Sequence, residues 1–396
     1  MKWANLRLMR ILLISNYLPD SQYSMQGYAA LLQRGFTRAG HEVRVLRPRV
    51  KVAKLSVRGV GLKWLGYIDK FVLFPGQLKK SLEWPDIVHV CDQSNAFYVK
   101  YIKTRPHVVT CHDLLAIRSA LGEFPEYKTK WTGRKLQSMI LDGLAHARNI
   151  VCDSDATQYD VLRLVPGKPK EVVRIYVGLN YTYEPMARRE AARRLNKVGL
   201  APDLPFILHV GGNQWYKNRL GVLKIFAQLR KRASGQHLAL VMAGHPWTKE
   251  MRRFTRAHEF GDSVLELVDL ANEDLRALYS CAEALLFPSL EEGFGWPVIE
   301  AQACGCPVVT SNRAPMTEIG GTVATYIDPL DVEAAAVAVA SAIGSRPAVS
   351  GASLRNAARF SADAMIDGYL DLYARLLGGG ASSGAVRSPL FAGEYQ

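Results

Sequence analysis

The residues best placed to do chemistry are two glutamates on either side of a glycine-containing turn. The stretch FPSLEEGFGWPVIEAQACGCPVVTS, residues 287–311, carries Glu292 before the turn and Glu300 after it. A turn that leads into a helix exposes backbone N–H groups and normally attracts anions, so carboxylates there need a further reason. Carboxylate oxygens accept hydrogen bonds from sugar or ribose hydroxyls, while the N–H groups bind phosphate or sugar oxygens. The pattern therefore favours a polyhydroxyl ligand over two glutamates that merely lie on the surface.

The local sequence also predicts how this segment folds. Residues 284–289, ALLFPS, are typical of a strand, Pro297 of the first residue of a helix and Gly305 of the left-handed residue that ends it. Glu292 then lies at the carboxyl end of a strand, and Glu300 lies on the first turn of the following helix. Both carboxylates can therefore face one small volume.

Two further segments place polar groups directly after a strand. In HVGGNQWYKN, residues 209–218, a Gly-Gly turn is followed by Lys217 and by a helix that starts near Asn218. This arrangement points a helix N-terminus and a cation at an anion. In TCHDLLA, residues 110–116, His112 follows a strand. A histidine there is either structural or able to bond a sugar hydroxyl and help an acceptor lose its proton.

Short apolar runs alternate with helical stretches along the whole chain and must position these groups. Such continuous apolar strands predict parallel sheets covered by helices on both faces, in which ligands bind beyond the carboxyl ends of the strands. The alternation restarts after Pro185, so the sequence predicts an α/β protein of two doubly wound domains with a cleft between them. The predicted strands lie at 9–15, 42–46, 86–91, 107–111, 149–153, 172–177, 206–210, 238–244, 264–269, 284–289, 307–311 and 324–328.

Composition and length limit the class of protein. The chain has 396 residues, of which 48% are hydrophobic and 22% charged, which suits two globular domains. It has no run of about 18 apolar residues that could span a bilayer, and the apolar stretch Met9–Ile14 is shorter than a signal sequence requires. Six scattered cysteines are typical of a reduced, cytoplasmic protein. Cys304 and Cys306 have no second pair at zinc-site spacing, so we expect no metal there.

The charge balance calls for an acidic partner. The formal net charge is +14, and ten basic residues against one acid, Asp69, lie between Arg44 and Lys80, interleaved with aliphatic and aromatic residues. This mixture predicts either peripheral attachment to an anionic inner membrane leaflet or a solvated face over ordinary core residues. A nucleic-acid-binding protein is a distant alternative, because the sequence has no helix-turn-helix or zinc module, and we expect no nucleic acid partner.

Together these motifs resemble the retaining, nucleotide-sugar-dependent glycosyltransferases of the GT-B fold, specifically family 4. The resemblance is strongest over 209–329, where Glu292 and Glu300 match the E-x7-E segment of the family. It implies two Rossmann-like domains that face each other across a cleft, with a C-terminal helix that crosses back to the first domain. The implied parts are an acceptor-binding domain at 1–180, a nucleotide-sugar-binding domain at 181–360, the closing helix at 361–377 and a flexible tail at 378–396.

The resemblance also implies roles for single residues. Glu300 would hold the ribose of the nucleotide, and Glu292 would contact the transferred sugar. His112 would approach that sugar from the first domain, and Lys217 would clamp the diphosphate. The further binding residues implied by the resemblance are Gly27, Gly212, Asn213, Gly293, Phe294 and Gly295.

The sequence departs from the family pattern at two places. Tyr216 precedes Lys217 where the family usually has arginine, so one cation for the diphosphate is missing or supplied elsewhere. After the first strand, the segment SQYSMQGY keeps only Gly27 of the usual Gly-Gly loop. The second departure weakens the prediction of acceptor and phosphate contacts from that loop.

The resemblance implies transfer of a sugar, with a UDP-sugar as the expected donor, to a glycan, a lipid-linked or a small-molecule acceptor. Family members are thought to react by front-face displacement, in which the departing diphosphate takes the proton of the acceptor. Neither a catalytic metal nor a bound cofactor is then expected. A sugar-nucleotide epimerase or a phosphorylase on the same scaffold remains an alternative.

Overall fold

The computed structural model describes residues 7–20, 22–52, 61–167 and 169–378. The tail predicted at 378–396 lies outside the described residues beyond Gly378, as do residues 53–60 of the basic stretch. Every predicted strand is present, and the strands form two separate sheets of six.

The first sheet is built from the amino-terminal half of the chain. Its strands are parallel and follow the order β2-β1-β3-β4-β5-β6. All side chains of β3, β4 and β5 are buried, because helices cover both faces of these central strands. The strands are β1 (Arg10–Ile14), β2 (Glu42–Leu46), β3 (Ile87–Val90), β4 (His107–Cys111), β5 (Asn149–Cys152) and β6 (Glu171–Arg174).

The second sheet is built from the carboxyl-terminal half and is also parallel. Its order is β12-β11-β10-β7-β8-β9, so the direction of winding reverses between β7 and β10. The prediction of two doubly wound α/β units is confirmed. The strands are β7 (Phe206–Gly211), β8 (Ala239–Gly244), β9 (Val264–Leu267), β10 (Ala284–Phe287), β11 (Val308–Ser311) and β12 (Thr325–Ile327).

Helices connect the strands of each sheet and cover its faces. A π-helical segment, Asp69–Leu73, joins the second and third helices into one continuous stretch. The helices are α1 (Tyr23–Arg38), α2 (Gly61–Ile68), α3 (Phe74–Ser81), α4 (Leu115–Leu121), α5 (Trp131–Ala145), α6 (Asp155–Leu164), α7 (Arg188–Lys197), α8 (Arg219–Arg230), α9 (Lys249–Ala257), α10 (Asn272–Cys281), α11 (Trp296–Ala303), α12 (Met316–Gly320), α13 (Val332–Ala342), α14 (Arg346–Ala357) and α15 (Ala362–Leu376).

The last helix, α15, returns to the first sheet, as predicted. Ser361 caps it by accepting a hydrogen bond from the backbone N–H of Ala364. The hydroxyl of Tyr369 lies 2.6 Å from that of Tyr28 on α1 and 2.7 Å from Oγ1 of Thr110 on β4. These groups are fully buried, so α15 belongs structurally to the first domain although it follows the second in sequence.

The described part of the basic stretch is divided between core and surface. Phe74 is buried, and the guanidinium of Arg44 lies 4.0 Å from the ring of Trp84. These two features are those of a solvated face over ordinary core residues. Ile68 and Val72 are exposed. Among the described residues no single helix has the length and apolar composition of a membrane span, and only the pair of α13 with Arg346–Leu376, bent by 100°, meets those criteria when taken together.

Candidate active site

The candidate site lies where the strand order of the second sheet reverses. β7 and β10 are neighbours, but the strands that follow them lie on opposite sides. Loops at such a reversal diverge and leave a crevice beyond the carboxyl ends of the strands. The loop after β7 carries Lys217, and the loop and helix after β10 carry Glu292 and Glu300.

Lys217 and Glu292 form a tight ion pair across this crevice. Nζ of Lys217 lies 2.7 Å from Oε1 and 2.8 Å from Oε2 of Glu292, and the Glu292 side chain is only 6% exposed. Asn218 holds the lysine loop in place, because its amide donates to the carbonyl oxygens of Pro288 and Pro329. The charge of Lys217, which is predicted to bind the diphosphate, is therefore neutralised by Glu292, which is predicted to contact the sugar.

Glu300 lies deeper than Glu292 and meets a different environment. The hydroxyl of Tyr279 on α10 donates to its Oε2 at 2.8 Å. Burial raises the pKa of Glu300 to about 7, and the hydrogen bond from Tyr279 and the charge of Lys217 oppose this shift only in part. The charge of Lys217 therefore acts on Glu300 as well as on Glu292.

The glycine-containing turn between the glutamates is docked on the first domain. The carbonyl oxygen of Gly293 accepts a hydrogen bond from Oγ of Ser154 at 2.8 Å and from Oγ1 of Thr157 at 3.3 Å. A Cβ added to Gly293 would lie 2.4 Å from the carbonyl oxygen of His112. The glycine thus permits a close approach of backbone from the other domain, in addition to any approach of a ligand.

The remainder of the turn starts helix α11. Gly295 has a φ of +105° and precedes the helix, and Gly305 follows its end in the left-handed region, as predicted. The helix begins at Trp296, so Pro297 is its second residue and not its first, and Glu300 lies in the second turn and not, as predicted, in the first. Phe294 is buried between Tyr176 and Phe360 with ring centroids 6.5 and 5.7 Å away. Its side chain therefore anchors the turn.

His112 is held by acceptors at both ring nitrogens. Nδ1 lies 2.5 Å from Oδ2 of Asp153, and Nε2 lies 2.9 Å from the carbonyl oxygen of Cys91. Burial alone would lower the pKa of His112, but the adjacent Asp153 carboxylate outweighs it and raises the pKa to about 9. A protonated ring can donate to both acceptors, so neither nitrogen is open to a sugar hydroxyl in this conformation.

The other predicted binding residues lie on two separate elements, the loop after β7 and helix α1. Gly212 and Asn213 lie on the loop after β7, where the Asn213 amide donates to the carbonyl of Pro246 at 2.7 Å. Gly27 lies inside α1 and not on a loop, because that helix already begins at Tyr23. A Cβ on Gly27 would be 3.9 Å from Nδ2 of Asn180, so the glycine faces the junction between the sheets.

Several contacts close the cleft between the domains. The rings of Tyr127 and Trp215 stack at 4.0 Å with an interplanar angle of 11°, and Nη1 of Arg118 donates to Glu291 at 2.9 Å. The backbone N–H of Asp155 donates to both carboxylate oxygens of Glu318 at 3.0 Å. The loop that carries Lys217 therefore touches the first domain directly.

Sequence reasoning missed three residues of this region. Asp153 directly follows β5 as His112 directly follows β4, but the sequence alone does not show that these two strands are neighbours in the sheet. Tyr279 lies on a helix face that carries no motif. Arg219 is the first residue of α8, and its only signal in the sequence is its place three residues after Tyr216, where the family usually has arginine. The described residues contain no group of three His, Cys, Asp or Glu side chains that could hold a metal ion.

The sequence matches two protein families in succession. Residues 25–183 match the family described as Glycosyltransferase Family 4, and residues 192–359 match the family described as Glycosyl transferases group 1. Both matches support a glycosyltransferase of these groups. The assignment of Glu292 and Glu300 to the E-x7-E motif stays a prediction.

Relatives with assigned activities are glycosyltransferases as well. O-antigen chain mannosyltransferase B of Escherichia coli is 29% identical over 244 residues, which are 60% of this chain and 61% of that protein. D-inositol 3-phosphate glycosyltransferase of Corynebacterium kroppenstedtii is 27% identical over 238 residues, 57% of this chain and 51% of that protein. The matched part thus spans less than two thirds of the length of either relative.

Solved structures share the architecture. The Anabaena protein Alr3699/HepE, in complex with UDP and glucose, has a TM-score of 0.70 at 16% identity and covers 93% of this chain and 100% of its own. Sucrose-phosphate synthase from Thermosynechococcus elongatus has a TM-score of 0.71 at 18% identity and covers 94% and 100%. The likeness confirms the GT-B fold, with two Rossmann-like domains across a cleft.

Proposed function

We propose, from the premise that both halves of the chain match glycosyltransferase families, that the protein transfers a sugar from a nucleotide-sugar donor to a glycan, lipid-linked or small-molecule acceptor. We further propose that the donor is a UDP-sugar, that the anomeric configuration is retained and that neither a metal nor a cofactor takes part. The relatives named above transfer sugars, and the Anabaena neighbour of the same fold holds UDP and glucose.

The observation that carries this proposal is the ion pair of Lys217 with Glu292 at the reversal of strand order, close enough to the buried Glu300 for the lysine to act on it electrostatically. Nζ of Lys217 bonds both carboxylate oxygens of Glu292, and its charge also acts on Glu300. A diphosphate brings two or more negative charges, so it competes with Glu292 for the lysine. Once released, Glu292 can accept hydrogen bonds from the sugar, while Glu300 accepts them from the ribose hydroxyls.

Catalysis would then rest on electrostatic stabilisation and orientation. Lys217 stabilises the negative charge that develops on the departing diphosphate, and the turn at 293–295 holds the sugar in reactive geometry. The departing phosphate takes the proton of the acceptor, so no side chain has to act as a nucleophile. His112 takes a positioning role, because its two nitrogens are engaged with Asp153 and Cys91.

The test is a panel of UDP-, GDP- and ADP-sugars followed by thermal stabilisation and by hydrolysis of the donor. We expect one nucleotide series to raise the unfolding temperature, by an amount that grows with ligand concentration. Proton NMR of the product gives the anomeric configuration, and the reaction in excess EDTA tests metal independence. A new nucleotide-sugar made from donor alone would favour an epimerase, and inverted product would overturn retention.

For the place of action we propose the cytoplasm, with peripheral attachment to the anionic inner face of the membrane. Support comes from the exposed Ile68 and Val72, which precede Lys79 and Lys80 in the same continuous helical stretch, together with the net charge of +14. Sedimentation with vesicles of phosphatidylglycerol and phosphatidylcholine at low and high salt tests this. We expect binding that weakens in Val72→Ser and in high salt. Equal recovery in the supernatant with and without vesicles would contradict it.

A further inference from the structure

Arg219 is a buried cation with unused hydrogen-bonding groups close to the candidate diphosphate site. It is the first residue of α8, two positions after Lys217, and only 4% of the residue is exposed. Nη1 donates to Oδ1 of Asn213 at 2.5 Å and to the carbonyl oxygen of His245 at 2.8 Å. Nε and Nη2 are buried and have no hydrogen-bond partner among the residues that the structure describes.

No carboxylate in the described part of the chain lies within ion-pair distance of Arg219. The acid that acts on it electrostatically, Glu266, accepts its own hydrogen bonds from the backbone N–H of Trp247 and from Nη2 of Arg252. A buried charge without a paired opposite charge is costly, and an anionic ligand bound nearby would offset that cost.

The geometry around the loop after β7 identifies where that ligand charge would lie. The Arg219 guanidinium bridges this loop, through Asn213, and the loop after β8, through His245. Gly211 and Gly244 are the last residues of β7 and β8 and are paired in the sheet. They approach closely, since a Cβ on Gly244 would lie 2.1 Å from the carbonyl oxygen of Gly211. On the other side of Gly211 lies Lys217, whose Cβ is 3.8 Å from a Cβ built there. The glycine loop is thus bordered by two cations.

We propose that Arg219 supplies, from beneath this glycine loop, the second positive charge for the diphosphate of the donor, in place of the arginine that Tyr216 replaces. The inference rests on the proposed function. Arg219 acts as a positioning residue, since it holds Asn213 and sets the electrostatic potential of the loop that binds the phosphates. In a low-dielectric environment its charge acts over several ångströms without direct contact.

The experiment compares UDP, UMP and uridine by isothermal titration calorimetry, or the same series of whichever nucleoside diphosphate binds in the panel. In Arg219→Met we expect affinity for the diphosphate to fall about tenfold or more, because one charge interaction that acts over several ångströms is lost. Affinity for the monophosphate should fall less, and affinity for the nucleoside should stay the same. The matched control is Arg230→Met, at the other end of α8, where the side chain donates to Ser263, and there we expect less than about a twofold change.

A second variant separates charge from scaffolding. Adding Tyr216→Arg to Arg219→Met should restore the preference for diphosphate over nucleoside, because it returns a cation to the loop without restoring the Asn213 and His245 bonds. If Arg219→Met does not fold, Arg219→Gln, which keeps an amide donor, is titrated instead.

Equal losses for UDP, UMP and uridine would show a scaffolding role only and overturn the inference, as would unchanged UDP affinity. These results leave the proposed function standing. Failure of the wild-type protein to bind any nucleoside diphosphate would instead overturn the proposed function.

Discussion

At the scale of single residues, the charges of Lys217 and Glu292 neutralise each other in their ion pair. Both oxygens of Glu292 are within 2.8 Å of the lysine. Under the proposed function, donor binding would exchange one anion for another at Lys217, and Glu292 would become available to the sugar only when the diphosphate is present. This coupling would favour the intact nucleotide-sugar over a free sugar.

The first prediction concerns this exchange. Glu292→Gln should leave UDP affinity unchanged or several-fold tighter, because the phosphate no longer competes with a carboxylate for Lys217, while the transfer rate falls by about a hundredfold or more. Calorimetry with UDP and a rate assay with the donor found in the panel measure the two effects. Glu291→Gln, which removes the neighbouring carboxylate that pairs with Arg118, is the control and should keep the transfer rate. Weaker UDP binding in Glu292→Gln would contradict the exchange.

The second prediction concerns the pH dependence of stability caused by Glu300. Burial raises its pKa to about 7 from 4.5, so the folded protein holds a proton that the unfolded chain has released between those pH values. The contribution of Glu300 to stability is therefore complete below pH 4.5 and is lost as the pH rises to about 7. Relative to Glu300→Gln, the wild-type free energy of unfolding should fall across this window by up to about 3 kcal/mol and stay level above it.

Urea unfolding of both proteins at a series of pH values measures that difference. The Gln side chain still accepts the hydrogen bond of Tyr279, so the variant keeps the contact while removing the titration. Parallel curves for the two proteins would show that Glu300 is not protonated in the folded state near neutral pH.

At the scale of elements, the strands and the turn into α11 could be predicted because they depend on local sequence. Buried parallel strands require continuous apolar runs, and Pro297 and Gly305 mark the ends of a helix by their backbone preferences. The pairing of His112 with Asp153 could not be predicted, since it depends on β4 and β5 being neighbours in the sheet. The same applies to Gly293, whose closest neighbour belongs to the other domain.

The third prediction belongs to the turn between β10 and α11. A methyl group at Gly293 would lie 2.4 Å from the carbonyl oxygen of His112 and 2.8 Å from Cβ of Asp113, which are atoms that cannot rotate away. Gly293→Ala should therefore push the turn off the first domain, lower the transfer rate and enlarge the radius of gyration measured by small-angle X-ray scattering. Gly76→Ala is the control, because beyond its own helix and chain neighbours none of the described residues has an atom within 4 Å of the added Cβ. A variant as compact and active as the wild type would show that the domains need not meet there.

At the scale of the whole molecule, α15 ties the two halves of the chain into one body. A buried row of polar groups joins it to the first sheet: Tyr28, Thr110 and Tyr369 share hydrogen bonds, and Nδ1 of His89 lies 2.6 Å from the hydroxyl of Tyr373. The ring of Tyr28 in turn meets that of His112 edge to face at 4.7 Å. The helix that ends the second half therefore supports the part of the first domain that faces the cleft.

The fourth prediction follows from this row. Tyr369→Phe removes a hydroxyl shared by Tyr28 and Thr110 and leaves both groups buried with one partner fewer, so the free energy of unfolding should fall by about 1–3 kcal/mol. Because α15 follows the second half in sequence but packs on the first sheet, we expect the loss in the whole transition and not in the first domain alone. Chemical unfolding followed by tryptophan fluorescence and by far-UV circular dichroism measures this, with Tyr159→Phe on the exposed face of α6 as the control. Two separated transitions, of which only one shifts, would show that α15 does not couple the domains.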